Sequence, residues 1–239
     1  MARDRKRTIP VLSWTAGAAL LAAGLAFSGF GAASAKESAV VIPAAAMDEP
    51  SAAAGSETAV FAGGCFWGVQ GVFQHVKGVT QAVSGYAGGS AATASYGMVS
   101  TGTTHHAEAV EVSYDPSVIS YGELLRIYFS VAHDPTQLNR QGPDVGTQYR
   151  STIFTGNEMQ DKIASAYIRQ LDEAKAYPKP LATTVEPLKG FYPAESYHQD
   201  YMTRNPNSLY IMINDAPKVE NLAKVFPQRY RDKPVLVGG

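Results

Sequence analysis

A single cysteine, Cys65, is the residue in this sequence best suited to covalent chemistry. It follows an apolar run at 58–62 and a Gly-Gly pair, and the apolar residues of 66–76 then recur at helical spacing. This spacing predicts a helix that begins at or near Cys65. Free amides at a helix start lower the pKa of a thiol, so we expect a reactive thiolate here. A buried, inert cysteine is the alternative.

Glu108 is the second candidate, because its position in the predicted strand 107–114 is unusual for a carboxylate. The apolar residues Val110, Val112 and Tyr114 alternate along this strand, and Glu108 shares their parity. Its side chain should therefore point to the apolar face, where the pKa of a carboxyl rises and the group stays protonated. A neutral carboxyl of this kind can donate a proton. The alternative is a register break near the strand start, which would leave Glu108 in solvent.

The histidines show no spacing typical of metal ligands, so we expect no metal. His106 and Glu108 resemble a fragment of the zinc deaminase signature, but that signature also needs a Cys-x-x-Cys pair. One cysteine cannot supply it, and the adjacent His105 and His106 would point to opposite faces of a strand. His198 leaves a different hypothesis open, since it could pair with Cys65 as in a cysteine hydrolase.

The order of the predicted elements indicates an α+β fold. Strands and helices alternate as β-α-β-β-α-β, followed by a third helix and a short strand, which matches a split βαβ, or ferredoxin-like, plait. This arrangement has two layers, with a mostly antiparallel sheet and helices on one face. The tail from residue 191 is rich in Tyr, Asn, Pro and Asp and is expected to form an irregular C-terminal extension. The strands are predicted at 58–62, 79–86, 107–114, 149–154 and 183–188.

Residues 1–35 have the pattern of a signal peptide. Four basic residues precede an uncharged stretch, 8–35, which is rich in Ala, Leu and Gly and ends in Ala-Ser-Ala. We expect cleavage and export to the periplasm or the medium, with an uncleaved inner-membrane anchor as the alternative. Residues 36–56 are predicted to be a flexible linker, which leaves 57–235 as the catalytic domain.

The charge balance gives no reason to expect nucleic acid as a partner. The 239 residues carry a net charge of −1, and removal of 1–35 leaves 16 basic and 20 acidic side chains. A net charge of −4 favours neither nucleic acid nor an anionic membrane. The remaining length suffices for one domain with its own core, which we expect to be a monomer.

Five segments, in this order, resemble the A-type peptide methionine sulfoxide reductases. Each segment is weak evidence alone, but together they are specific, and they span about 57 to 206. The fold of that family is a ferredoxin-like plait with extensions, in agreement with the predicted order of elements. The segments are 64–68 (GCFWG), 85–89 (GYAGG), 106–110 (HAEAV), 146–151 (GTQYRS) and 197–199 (YHQ).

The resemblance implies the chemistry. Cys65 would attack the sulfur of methionine S-sulfoxide and become a sulfenic acid, while Glu108 would protonate the leaving oxygen. Many relatives carry further cysteines near the C-terminus, but residues 205–211 contain none. An external thiol such as thioredoxin, glutaredoxin, glutathione or dithiothreitol would therefore complete turnover, without a bound cofactor. His105 stands where the family usually has Gly.

The resemblance also implies how the substrate is held. Tyr96 and Tyr149 would hydrogen-bond the sulfoxide oxygen, and Asp144 would hold the polar side of the site. Phe66 and Trp67 would form the apolar wall that receives the methyl group. The expected role is repair of oxidised exported proteins or of free methionine sulfoxide. A non-catalytic module, in which the same two aromatic residues dock peptides, is the remaining alternative.

Overall fold

The computed structural model describes residues 1–2, 38–50 and 54–237. The predicted signal peptide, 1–35, therefore lies outside the described residues except for its first two. Within the described ranges, no helix combines the length and the apolar character that a membrane span requires.

The described chain contains the five predicted strands and the three predicted helices, together with short elements that the sequence patterns did not predict. The strands are β1 (Glu57–Gly63), β2 (Val79–Ala87), β3 (Ala107–Tyr114), β4 (Arg140–Gln141), β5 (Asp144–Val145), β6 (Ser151–Thr155), β7 (Thr184–Pro187) and β8 (Phe191–Pro193). The α-helices are α1 (Phe66–Gln74), α2 (Tyr96–Val99), α3 (Tyr121–Ile127), α4 (Glu158–Glu173), α5 (Tyr201–Arg204) and α6 (Ala216–Val225). Two π-helical turns adjoin α3 and α6, at Tyr128–Ala132 and Ile211–Asp215.

Six strands form one mixed sheet in the order β7-β6-β1-β3-β2-β8. The β6–β1, β1–β3, β3–β2 and β2–β8 pairs are antiparallel, and β7 adds a parallel pair at the β6 edge. The two short strands β4 and β5 form a separate hairpin. The predicted α+β class is confirmed, with a sheet that is mixed because of β7.

The sheet has two apolar faces of different size, and β1 contributes to both. Ala59 and Phe61 belong to the main core, where the Phe61 ring stacks on Phe73 at 5.2 Å and on Tyr128 at 5.0 Å. The intervening residues of β1 belong to a smaller cluster on the other face. This split follows from the two-residue period of a strand, and it anchors the end of β1 on both sides.

Residues 38–50 differ from the flexible linker predicted over 36–56. Ile42 is 2% exposed within the main core, and its carbonyl accepts a hydrogen bond from Arg126 Nε at 2.9 Å. The Asp48 carboxylate accepts a hydrogen bond of 2.8 Å from a backbone amide in the first turn of α3. Composition alone missed this packing, because small residues supply few apolar contacts but leave backbone groups free to bond.

The C-terminal tail is also more regular than predicted. It contains β8, α5, α6 and one π-helical turn, and the Lys77 amide donates a hydrogen bond of 2.7 Å to the Arg229 carbonyl. The tail therefore returns to the C-terminal end of α1. The prediction of an irregular extension was wrong because Asp and Pro, here Asp215 and Pro217, also begin helices.

Candidate active site

The turn between β1 and α1 presents Cys65 at the start of a helix. Gly64 adopts φ +89°, and α1 begins one residue after Cys65, as predicted. A Cβ on Gly64 would lie 2.5 Å from side-chain carbons of Gln141, and one on Gly63 would lie 2.9 Å from His133. Both glycines are therefore required for the close approach of this turn to its neighbours.

Glu108 lies beside this turn and is buried, as its parity predicts. Its side chain is 3% exposed, and Oε2 accepts a hydrogen bond of 3.1 Å from the Phe66 amide. In the antiparallel β1–β3 pair Phe61 faces Val110, so the same register continued places Glu108 opposite Gly63. The Glu108 carboxyl is thus hydrogen-bonded to Phe66, which follows Cys65 and is the first residue of α1.

Burial keeps Glu108 protonated at neutral pH. Desolvation raises the pKa of this carboxyl to about 8, and the nearby carboxylates of Asp144 and Asp215 act in the same direction. The hydrogen bond from the Phe66 amide favours the ionised form but is outweighed. The Glu108 carboxyl is therefore protonated at neutral pH.

The expected low pKa of Cys65 is wrong for the resting protein. Burial raises the pKa of the Cys65 thiol well above its usual value, and the carboxyls of Glu108, Asp215 and Asp144 raise it further wherever they are ionised. A hydrogen bond from the Trp67 amide lowers it, as a helix start should, but by less. Local sequence shows the helix start, whereas the carboxylates come from distant parts of the chain.

Three further predicted residues, Tyr96, Asp144 and Tyr149, lie within electrostatic reach of this pair. Burial raises the pKa of Tyr96, and Glu108 and Cys65, when ionised, raise it further. The pKa of Tyr149 is raised by burial and then by Glu108, Asp144, Tyr96 and Cys65. All three of these residues therefore interact electrostatically with Cys65 and Glu108.

Two residues that sequence reasoning missed hold these groups. Glu195 accepts hydrogen bonds of 2.9 Å from the Tyr96 amide and from the Tyr86 hydroxyl. Tyr210 donates a hydrogen bond from its hydroxyl to Asp144 Oδ2. Glu195 lies two residues before the 197–199 segment, which is a weak signal. No spacing in the sequence points to Tyr210.

Phe66 and Trp67 form an aromatic wall together with His198. The Trp67 ring stacks on Tyr201 at 3.7 Å and 9°, and its Nε1 donates to His198 Nδ1 at 3.2 Å. Burial lowers the pKa of His198, so the ring is neutral. Among the hydrogen bonds of the described residues, none joins His198 to Cys65. The described hydrogen bonds of His198 therefore give the cysteine hydrolase alternative no support.

The adjacent histidines shape the loop before β3. The His106 ring accepts a hydrogen bond from the Gly89 amide at 3.2 Å and contacts the Ser90 carbonyl at 2.9 Å. His105 adopts φ +63°, the left-handed region that favours glycine, and its carbonyl accepts a hydrogen bond from Arg150 at 3.1 Å. In the described part of the chain, no three His, Cys, Asp or Glu residues are grouped for a metal.

Comparison with known proteins agrees with this constellation. A family model described as peptide methionine sulfoxide reductase matches residues 57–230. The chain belongs to this family. It is similar to peptide methionine sulfoxide reductase MsrA 2 of Mesorhizobium japonicum, with 66% identity over 183 residues that cover 77% of this chain and 94% of the relative. MsrA 2 of a Synechocystis species is 51% identical over 179 residues, 75% of this chain and 82% of that relative.

Solved structures of reductases show the same fold. Mxr1 from Saccharomyces cerevisiae in reduced form has a TM-score of 0.57 and 35% identity, over 64% of this chain and 87% of that one. Methionine sulfoxide reductase A of Corynebacterium diphtheriae has a TM-score of 0.54 and 37% identity, over 64% and 76% of the two chains. The protein is an oxidoreductase of the A type, a peptide-methionine (S)-sulfoxide reductase.

The turn of the reductase should not tolerate a side chain at Gly64. Gly64→Ala combines left-handed strain of roughly 1–2 kcal/mol with a collision against Gln141 of roughly 1–3 kcal/mol. Gly142→Ala is the matched control, because Gly142 also has positive φ (+54°) but has open space around its Cβ position. Chemical denaturation should show the larger loss of stability for Gly64→Ala, together with slower sulfoxide reduction. Equal losses for the two variants would contradict the steric role of this turn.

Proposed function

We propose that the protein reduces methionine S-sulfoxide, free or in proteins, by direct attack of Cys65 on the sulfoxide sulfur. The hydrogen bond from the Phe66 amide to Glu108 is the observation that carries this proposal. It fixes a buried, protonated acid against the residue that follows the only thiol. A sulfoxide is a poor electrophile until its oxygen is protonated, so this pair suits the reaction.

The step balances without a bound cofactor. The Cys65 sulfur bonds to the sulfoxide sulfur while Glu108 transfers its proton to the oxygen. The oxygen then moves to the Cys65 sulfur as a new sulfur–oxygen bond, while the bond between the two sulfurs and the original sulfur–oxygen bond break; Cys65 is left as a sulfenic acid and methionine leaves. Cys65 loses two electrons and the sulfoxide gains two. The proton of the thiol replaces the one that Glu108 gave.

The surrounding residues hold the substrate. The hydroxyls of Tyr96 and Tyr149 donate hydrogen bonds to the sulfoxide oxygen, and burial raises the pKa of both, which keeps them protonated. Asp144 lies on the polar side of the site. Phe66, which is 1% exposed, and the half-buried Trp67 receive the methyl group.

Regeneration needs a thiol from outside the chain. The sequence contains one cysteine, so the sulfenic acid at Cys65 cannot form an internal disulfide. An external thiol condenses with the sulfenic acid and releases water, and a second thiol then reduces the mixed disulfide. Thioredoxin, glutaredoxin or glutathione would supply these thiols in the cell, and dithiothreitol would supply them in vitro. The enzyme would act as a monomer.

We further infer that the catalytic unit is a ferredoxin-like plait. The consecutive strands β6-β1-β3-β2, each antiparallel to its neighbour, support this description of the sheet centre. The helices α1, between β1 and β2, and α3, between β3 and β6, belong to the two crossovers that the plait requires, and β7 and β8 extend its edges.

A mass balance tests the reaction. One equivalent of methionine S-sulfoxide without reductant should yield one methionine and add one oxygen to Cys65, which dimedone then labels. Cys65→Ser should form neither product, and the R epimer should not react. If the parent protein gives no methionine, or gives it without oxidation of Cys65, the proposal fails.

The pH dependence tests the acid. Because the acid form of Glu108 is required and its pKa is about 8, the rate of sulfenic acid formation should fall as the pH rises through 8. Glu108→Gln should lower the rate by roughly 100-fold or more and should abolish the decrease in rate above pH 8.

Glu111→Gln is the control for Glu108→Gln. Glu111 lies on the same strand and is half-buried, and its pKa is also raised by burial. Glu111→Gln should keep both the parental rate and the decrease in rate as the pH rises through 8. A Glu108→Gln enzyme with an unchanged profile would rule out Glu108 as the proton donor.

We also propose that the enzyme is exported and repairs oxidised exported proteins. The basic start, the uncharged stretch and the Ala-Ser-Ala ending of residues 1–35 support this location. Expression of the full chain in a bacterial host should give a soluble periplasmic protein that begins at Lys36, as read by intact mass. A full-length chain in the membrane fraction would support an inner-membrane anchor instead.

A further inference from the structure

Tyr210 enters the site from the C-terminal segment, between α5 and the π-helical turn Ile211–Asp215. It is half-buried, and its hydroxyl donates a hydrogen bond to Asp144 Oδ2. Its ring meets Trp67 edge-on, with centroids 5.9 Å apart and an interplanar angle of 85°. One side chain thus contacts both the polar side of the site and the aromatic wall.

The Tyr210 hydroxyl acts on the charge of Asp144. Burial raises the pKa of Asp144, whereas the hydrogen bond from Tyr210 and the positive charge of Lys218 lower it. Burial and the neighbouring Cys65 raise the pKa of Tyr210 itself, so the phenol remains a donor over the working pH range. The bond therefore favours an ionised Asp144.

Asp144 in turn acts on the reacting pair. Its negative charge raises the pKa of Glu108, which favours the protonated acid, and it contributes to the raised pKa of Cys65. A change at the Tyr210 hydroxyl is thus transmitted to both groups through one carboxylate.

The Tyr210 ring also completes the support of Trp67. Tyr201 covers one face of the indole at 3.7 Å, and His198 accepts the hydrogen bond from its Nε1. Tyr210 contacts the indole from a third direction. Each contact restricts the rotation of a side chain that is itself only partly buried.

We propose that Tyr210 is a positioning residue of the reductase, which holds the Asp144 carboxylate and the Trp67 indole in the arrangement that receives the sulfoxide. The inference rests on the proposed function, because it assigns Tyr210 to the same site. Tyr210 acts through Asp144 and Trp67 and takes no part in bond making. The C-terminal segment, which supplies no thiol, thereby contributes to the site.

Two substitutions separate the hydroxyl from the ring. Tyr210→Phe keeps the contact with Trp67 and should lower kcat about tenfold, with KM within about twofold of the parent value. Tyr210→Leu removes both contacts and should raise KM as well. Tyr177→Phe is the control, since Tyr177 is a half-buried tyrosine whose hydroxyl donates instead to the Phe129 carbonyl at 2.7 Å.

A titration of Asp144 gives a readout that general destabilisation would not change. The carboxyl resonance of Asp144, in protein labelled with isotopic aspartate and assigned with Asp144→Asn, should titrate at higher pH in Tyr210→Phe than in the parent. The direction follows because the substitution removes a donor to the ionised form. Tyr177→Phe should leave the midpoint unchanged.

A double-mutant cycle remains informative if Tyr210→Phe is less stable than the parent. The loss of kcat in Asp144→Asn/Tyr210→Phe should be no greater than in the slower single variant, because both changes interrupt one interaction. Additive losses, or a Tyr210→Phe enzyme with parental kcat and Asp144 midpoint, would overturn the inference. Failure of the parent to form methionine and sulfenic acid would instead overturn the proposed function.

Discussion

The hydrogen bond between the Phe66 amide and Glu108 connects the two halves of the site. The amide belongs to the first turn of α1, whose position is fixed by the glycine turn after β1. The carboxyl belongs to β3, which pairs with β1 along most of its length. The pairing of β3 with β1 and the start of α1 thus together fix the position of this hydrogen bond. Because both elements are anchored in the main core, the separation of acid and thiol depends on the fold as a whole.

The electrostatic environment of this hydrogen bond determines the protonation states of Cys65 and Glu108 in the absence of substrate. Burial and nearby carboxylates raise the pKa of Cys65 and of Glu108 together, so both groups are protonated near neutral pH. Such a pair is unreactive toward most electrophiles, because the thiolate is the nucleophile. In the proposed reaction the sulfoxide itself changes the balance, since protonation of its oxygen by Glu108 makes its sulfur electrophilic. Reactivity then depends on the presence of the correct substrate.

Sequence patterns predicted what depends on local spacing. The strand of Glu108 has the predicted bounds, its side chain lies on the buried face, and α1 begins directly after Cys65. Sequence patterns did not predict the features that depend on burial and contacts between distant parts of the chain. The pKa of the Cys65 thiol is raised, whereas the sequence predicts that it is lowered. Tyr210 donates a hydrogen bond to Asp144, which lies 66 positions away in the chain. The packing of 38–50 on the core likewise depends on hydrogen bonds between residues 74 and 84 positions apart along the chain.

The single thiol constrains how the two half-reactions share the site. Cys65 is 8% exposed, and in the proposed cycle both the sulfoxide and the reducing thiol must reach this one buried sulfur. In the proposed cycle the methionine must leave before the reductant enters, which is the order of a ping-pong mechanism. The Trp67 wall, supported by Tyr201 and Tyr210, lies beside this thiol. Rigid support of the wall therefore favours the first half-reaction, and the speed of the second depends on how easily a foreign thiol passes it.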